Sequence, residues 1–562
     1  MIKENLIKLF EQSFKENWDC NAFTDYGENN TLTYGKVAEG IACLHLIFEK
    51  IHIRKGDKIA IIGRNTSKWA VGYLSIITYG AVVVPILQDF TPSDIHHIVN
   101  HSEAGVLFVS NAIWETLEDD KMPALRAVFS LDDFRCILQQ GGEAVQRVTQ
   151  TTDDEFKQRY PNGFTANDIR YAPIDNSEMV VLNYTSGTAG FTKGVMLSGN
   201  NLAGNVMFAI DSGLMHNKTR ILSFLPLAHA YGCAFEFFSP VATGGHITLL
   251  GRIPSPKMLV EAMNKVKPTL ILTVPLILEK MYKKQIQPLL QKRMFNLAMH
   301  IPVLNSRLLS VIQKKLIDAF GGEFFEVIVG GAALNPDVEA FLLKIKFPFT
   351  VGYGMTECAP IISYAPYNEF EPNTCGVMVQ GMEARIDTSA STSDVGEICV
   401  RGEHVMMGYY KNEAATDAAF DADGWFHTGD LGSITEKGSI VIRGRSKNMI
   451  LGPSGQNIYP EEIEAKLDNL PFIMESIVVE QKGKLVALVY PDYEKVDELH
   501  IPPAELGKMM EENRKTVNKE LAAYAGISKM VIYATEFVKT PKKSIKRYLY
   551  TAANAEMKRE NI

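Results

Sequence analysis

The chain has 562 residues, 46% hydrophobic and 22% charged, with a formal net charge of -8 at pH 7. That length exceeds one ordinary core, and that balance belongs to a globular chain, so disorder is excluded and two or more domains are predicted. The acidic balance argues against a nucleic-acid partner, whose phosphate backbone calls for a basic face.

Residues Met1–Trp18 are polar and helix-like, without the apolar core of a signal peptide. No run is long and apolar enough for a transmembrane segment, although peripheral contact with a membrane stays open. The seven cysteines (20, 43, 136, 233, 358, 375 and 399) are scattered, with no Cys-x-x-Cys and no metal-ligand spacing. A reduced, cytoplasmic protein is the expectation.

Along the chain, β-rich runs alternate with helical stretches from Gly56 to Gly354. Strands are predicted at Lys58–Ile62, Ala81–Pro85, Val106–Ser110, Val180–Asn183, Ile221–Leu225, Ile247–Leu250, Thr269–Thr273, Val327–Val329 and Phe349–Gly352. Pro92–Glu103 and Ser306–Phe320 read as helices. This alternation predicts layered α/β with largely parallel sheets and ligands at the carboxyl ends of strands. After Gly376 the texture changes to short strands (Met382–Ile386, Gly396–Arg401, Ser439–Ile442) broken by turn residues, a small β-barrel-like subdomain. A domain boundary is placed near 445. Beyond it, helix Tyr459–Leu467, a hairpin of Ile473–Glu480 and Lys484–Tyr490, and helix Glu505–Leu521 predict a small α+β C-terminal domain.

Strand Met179–Asn183 runs into Tyr184-Thr-Ser-Gly-Thr-Ala-Gly-Phe-Thr-Lys-Gly-Val195. Small residues let backbone N–H groups converge on an anion, hydroxyls add donors, and Lys193 adds charge. A Walker loop would need Gly at Thr192, so it is excluded. By itself the run could equally be a plain polar connection.

Five further segments follow in order: Leu225-Pro-Leu-Ala-His-Ala-Tyr-Gly232, Gly330-Gly-Ala332, Tyr353-Gly-Met-Thr-Glu357, Gly424-Trp-Phe-His-Thr-Gly-Asp430 and Gly444-Arg-Ser-Lys447. Taken singly, His229 suits a satisfied structural histidine, the glycines a turn, and Asp430 a turn aspartate. Together they resemble the signature series of the acyl-adenylate-forming (AMP-binding) superfamily. Ala189 and Thr192 depart from its usual loop, removing one hydroxyl donor and one stiffening proline.

The resemblance implies ATP, Mg²⁺ and coenzyme A as cofactors. It assigns Thr185, Ser186, Gly187, Thr188, Gly190 and Lys193 to the triphosphate, and His229 to the edge of the acyl and nucleotide pocket. Gly330, Gly331 and Ala332 would lie along adenine, with Tyr353 stacked on it, beside Gly354, Met355 and Thr356. Glu357 and Thr188 would meet Mg²⁺, a hard cation that takes oxygen ligands. Asp430 would grip the ribose hydroxyls as an acceptor-only carboxylate, and Arg445 would make the second ribose and phosphate contact. Lys447 falls at the family's hinge, which divides the chain into a large domain (1–444), a hinge (445–448) and a small mobile C-terminal domain (449–562).

The reaction implied is attack of a carboxylate on the α-phosphorus of ATP, then transfer of the acyl group to a thiol. Catalysis of that kind is mainly positioning and charge stabilisation. The family also uses a lysine near the C-terminus. Here Thr540-Pro-Lys-Lys-Ser-Ile-Lys-Arg547 puts Ser544 at that place, with Lys543 beside it as the substitute. In a strand the two would face opposite ways.

Lys267–Tyr282 and Arg401–Asn412 resemble long-chain fatty acid–CoA ligases, so a medium- or long-chain fatty acid is the expected substrate, another carboxylic acid being the wider class. The apolar run Cys233–Phe238 reads either as an acyl tunnel wall or as plain core. The expected acceptor is coenzyme A, with Gly455 letting pantetheine pass. The alternatives are an acyl carrier protein as acceptor, or a catalytically weakened nucleotide- or acyl-binding protein.

Overall fold

The structure, a computed structural model, describes residues 2–28, 30–139, 144–186, 192–282, 302–389, 394–451, 456–481, 483–540 and 544–550. Within these, the side chains of 139, 144–148, 186, 302–306 and 523 are left out of account.

The largest sheet has eight strands in the order Gly408–Tyr409, Thr192–Ser198, Met179–Ser186, Val82–Ile86, Lys58–Ile62, Val106–Val109, Ala127–Ser130, Cys136–Gln139. Its centre is parallel and its outer pairs are antiparallel. The central strands are buried at almost every position, which is why they read as continuous apolar runs rather than as alternating ones. A second sheet pairs Arg220–Ser223, His246–Leu249 and Asn21–Asp25 in parallel, with Thr31–Thr33 antiparallel at the edge. A third is wholly parallel: Leu270–Thr273, Glu326–Val329, Phe349–Val351. The predicted parallel α/β layering is therefore present. What the sequence missed is that Asn21–Asp25 joins parallel strands some two hundred residues away, because a short strand carries no mark of its distant partner.

The β-rich segment after Gly376 forms a four-stranded antiparallel sheet: Met382–Asp387, Gly396–Gly402, Phe426–Ile434 and Ile440–Arg445. Phe426–Ile434 was read only as a motif. It is nevertheless a nine-residue strand with alternating burial, and Asp430 points inward.

One continuous core runs from Leu6 to Ile440, while separate apolar clusters begin at Ile458 and Ile477. The later clusters lie between helix Pro460–Leu467, helix Pro503–Asn518 and a sheet of Ile473–Gln481, Lys484–Pro491 and Ile527–Ile532. Among the described residues no helix is long and apolar enough to cross a membrane.

Candidate adenylation site

The predicted phosphate loop begins and ends on two strands that pair as a β-hairpin. Met179–Ser186 pairs antiparallel with Thr192–Ser198, bringing Thr185 opposite Lys193 and Ser186 opposite Thr192. Gly187, Thr188 and Gly190 lie outside the described residues, as does the Ser186 side chain. Tyr184, where the turn departs, is buried, and its hydroxyl is 2.7 Å from His101 Nδ1.

Gly408–Tyr409 pairs with the outer edge of this hairpin, Tyr409 opposite Val195. Tyr410 N donates to Gly194 O at 2.7 Å, and Met407 N to Met196 O at 3.0 Å. The register sets the Tyr409 ring under Lys193, whose Nζ is 4.3 Å from the ring centroid. The Tyr409 hydroxyl donates to Glu357 Oε1 at 3.1 Å. Burial raises the Tyr409 phenol, and the Glu357 charge raises it further. The sequence reading did not single out Tyr409, since an aromatic beside Gly408 looks like ordinary strand filling.

Two buried amides stitch these pieces to helix Gly199–Asp211, which follows the hairpin. Asn205 accepts from Ile361 N at 2.9 Å and donates to Cys358 O at 3.3 Å. Asn201 donates to Glu403 O and Val405 O at 2.9 and 2.8 Å. Both were missed, although asparagines on the buried face of a helix signal a specific partner, because a buried amide must be bonded.

Tyr353-Gly-Met-Thr-Glu357 follows strand Phe349–Val351. Tyr353 and Gly354 pair antiparallel with Ile361–Tyr364, and a 3₁₀ turn covers Thr356–Cys358. At Gly354 a side chain is excluded, since a Cβ would lie 2.3 Å from Pro360 O. Met355 is half-buried, and its N donates to Pro360 O at 2.9 Å. Thr356 is buried. Glu357 is half-buried, and among the described residues only its Oε1 is hydrogen-bonded.

Asp430 is brought to the same turn. It faces Arg445 across the strand pair, with Arg445 Nε 2.8 Å from Oδ1. Its Oδ2 accepts from the buried Tyr353 hydroxyl at 2.7 Å. Burial raises the Asp430 carboxyl above its ordinary range, against the opposing pull of Arg445 and Tyr353. The strand start is braced by Glu397, which accepts from Gly429 N at 2.8 Å and sits 3.0 Å from His427 Nδ1. Lys447 is exposed, in the turn Ser446–Asn448.

His229 caps the short helix Ala230–Gly232, with Nδ1 accepting from Tyr231 N at 3.3 Å. Tyr231 spans to the next motif: its hydroxyl donates to Ile328 O at 3.0 Å, and its ring is 3.1 Å from where a Gly330 Cβ would stand. Gly331 takes a left-handed φ of 87°, and it and Ala332 are exposed at the strand's carboxyl end. The Leu225–His229 turn is held from below by Glu236, which accepts from Ser223 Oγ at 2.9 Å and Leu225 N at 3.1 Å. Burial pushes the Glu236 carboxyl well above the ordinary range.

The run Cys233–Phe238 is π-helical, and its reading as a tunnel wall is narrowed. Phe237 and Phe238 are fully buried against Trp69, Tyr73, Phe10 and Phe23, so they are core. Cys233 and Ala234 border a small cavity with Tyr73, Asn183 and Ala230.

The C-terminal segment departs from its expected form. Ser544 is not in a regular strand. Thr540 N donates to Ser544 O at 2.7 Å and Lys546 N to Val538 O at 2.8 Å, with a single bridge between Lys539 and Ile545. Ser544 is exposed at this tight turn, and Lys543 lies outside the described residues, as does Gly455. The turn is anchored by Arg547, paired through both guanidinium nitrogens with Glu464 on the helix after the 445–448 segment.

Beside the Gly424–Asp430 motif, Asp387, Cys399 and His427 converge with ligand atoms within 4.8 Å of one another, across strands that cysteine spacing could not reveal. Burial, with the charges of Glu397 and Asp387, pushes the Cys399 thiol up to about 11 against the pull of Arg385, which is ion-paired with Asp421, so a side-chain cation already balances the acids there.

Known proteins give the context. The AMP-binding enzyme family model matches residues 10–410. The long-chain-fatty-acid–CoA ligase FadD15 of Mycobacterium bovis is 30% identical over 82% of this chain and 78% of its own length. The long-chain-fatty-acid–CoA ligase of Escherichia coli O157:H7 is 26% identical over 85% of this chain and 83% of its own. Among solved structures, ATP-bound MatB from Rhodopseudomonas palustris superposes with a TM-score of 0.76 at 21% identity, covering 99% of this chain and all of that one, a likeness of fold. With the motif residues gathered around one hairpin and one strand end, this chain belongs to the AMP-binding, acyl-adenylate-forming enzyme family.

Proposed function

We propose that the protein is an acid–thiol ligase that activates a medium- or long-chain fatty acid with ATP and passes the acyl group to coenzyme A. The observation that carries this reading is the convergence of Lys193, Glu357 and Tyr409 on one side and Tyr353, Asp430 and Arg445 on the other. The first group offers a cation and a carboxylate for a triphosphate with its metal. The second offers a buried acceptor for ribose hydroxyls. The fatty-acid assignment rests on the named relatives, which are long-chain-fatty-acid–CoA ligases. A reduced, cytoplasmic setting is supported by seven cysteines that all stand as free thiols.

In this reading a carboxylate oxygen attacks the α-phosphorus, and the bond to the bridging oxygen of pyrophosphate breaks. Lys193, with Thr188, stabilises charge building on the β- and γ-phosphates, an electrostatic contribution that depends on prior positioning. Glu357 and Thr188 would hold Mg²⁺, whose charge would neutralise the triphosphate; a half-buried carboxylate with one oxygen unbonded among the described residues is a fitting donor. Asp430 and Arg445 orient the nucleoside. The small domain then turns about 445–448, and the thiol sulfur attacks the acyl carbon, releasing AMP.

Ser544 favours one second reading, a weakened enzyme that binds nucleotide and acid but turns over slowly. One assay separates the two: ATP, Mg²⁺ and a panel of carboxylic acids, with and without coenzyme A or a carrier protein, followed by mass for pyrophosphate and thioester. Pyrophosphate released by long-chain acids and thioester formed with coenzyme A is the expected result. ATP binding without pyrophosphate for any acid would refute the ligase and leave the binding protein.

A further inference from the structure

We propose that Tyr409 is a positioning residue that sets both the phosphate-loop lysine and the acidic residue Glu357 before nucleotide arrives. This rests on the reading of Lys193 and Glu357 given above. Lys193 stands on strand Thr192–Ser198 and Glu357 in the 3₁₀ turn Thr356–Cys358, far apart in the chain and opposite in charge, yet they are joined through this one side chain. The ring receives the Lys193 ammonium at 4.3 Å, and the hydroxyl donates to Glu357 Oε1 at 3.1 Å.

The arrangement is more than a chance contact, for the Tyr409 backbone is itself fixed. It pairs with Val195 in the returning strand of the hairpin, two residues from Lys193. Its N accepts no freedom either, donating to Thr416 Oγ1 at 2.9 Å on the short helix Glu413–Asp417. On the Glu357 side, Met406 N donates to Glu357 O at 2.8 Å, so the same segment holds both backbone and side chain of the acid. Tyr409 is buried, which strengthens both of its polar contacts by excluding water.

The two halves of the contact have separable consequences. The hydroxyl orients the carboxylate through Oε1, and among the described residues Oε2 has no hydrogen-bond partner. The ring face holds a cation in place without neutralising it, because the attraction is to the ring's quadrupole rather than to a counter-charge. Lys193 is therefore held near its working place, and among the described residues no carboxylate is paired with it. An acidic partner there would have to be displaced by each incoming phosphate.

The test is calorimetric binding of ATP to the full chain, in EDTA and in excess Mg²⁺, so that it does not depend on turnover. Tyr409→Phe keeps the ring and removes the hydroxyl. It should leave ATP affinity in EDTA unchanged and reduce the enhancement given by Mg²⁺ by roughly tenfold, the effect of losing one hydrogen bond to a charged acceptor. Tyr409→Leu should show the same loss and also weaken ATP in EDTA by about two- to fivefold, the effect of one cation–π contact. Lys193→Ala and Glu357→Gln are run beside them, with thermal melting of every variant. If those two change ATP binding and the Tyr409 variants do not, the positioning role is overturned and the site stands. If Lys193→Ala and Glu357→Gln are both silent, the site reading falls and the proposal with it. Equal losses in EDTA for Tyr409→Phe and Tyr409→Leu would also overturn it, because the ring would then not matter separately. Should Tyr409→Leu fail to fold, the Phe variant alone decides.

Discussion

Removing Arg547 tests how the segment carrying Ser544 is held. Arg547 reaches Glu464 with two nitrogens, one contact being 2.7 Å, and the side chains are 24% and 10% exposed. Glu464 Oε1 also accepts from Val478 N at 2.6 Å, so the carboxylate links helix Pro460–Leu467, strand Ile473–Gln481 and the C-terminal turn. Arg547→Ala leaves a buried carboxylate without its counter-charge, a loss of about 3–5 kcal/mol. The C-terminal clusters are small, so a loss of that size is a large share of their stability. It corresponds to roughly 10²–10⁴-fold less protection from exchange.

Burial raises the Glu464 carboxyl above its ordinary value, and Arg547 opposes this. Without Arg547 it rises further. The folded form then prefers the proton more than the unfolded form does, so the penalty is full above the raised value and fades as pH falls toward the unfolded one. The variant should therefore recover stability on acidification more than the parent protein does. All four tryptophans (18, 69, 114 and 425) lie in the large body, so their fluorescence should miss this loss. Amide exchange across Val478–Val489, read by mass at neutral and mildly acidic pH, should detect it. Unchanged protection, or a loss that deepens on acidification, would refute the argument. The double change Arg547→Met with Glu464→Met should restore most of the protection, since a buried ion pair replaced by apolar groups is often neutral.

Two further outcomes are expected. Asp430→Asn should leave the large body at least as stable at pH 7.5 by tryptophan fluorescence melting, because the raised carboxyl means that its charged form opposes folding above that value; its advantage should shrink as pH falls toward the unfolded value, while ATP binding weakens by roughly tenfold or more. Ser544→Lys, at an exposed turn position that accepts a long side chain, should raise pyrophosphate release by about 10²-fold; an unchanged rate would show that another group already does this work.

The linear order of residues determined a good deal by itself. Period and apolar runs placed the parallel strands, because a strand buried on both faces must be apolar throughout. The motif series from Tyr184 to Lys447 identified the family, since catalytic loops keep their residue types wherever a phosphate, a ribose or a cation must be met. Only tertiary structure could decide the rest. That Thr192–Ser198 returns as a hairpin strand depends on pairing with Gly408–Tyr409, more than two hundred residues on. That Tyr409 joins Lys193 to Glu357, and Tyr353 joins Asp430, depends on distances between strands that no spacing records. Phe237 and Phe238 read equally as tunnel lining or as core in the sequence and are core, because hydrophobicity alone does not say which apolar surface a side chain meets. Ser544 stood out as a departure in sequence; its exposed place, tied through Arg547 to helix Pro460–Leu467, came from the fold, where a buried carboxylate requires its counter-charge.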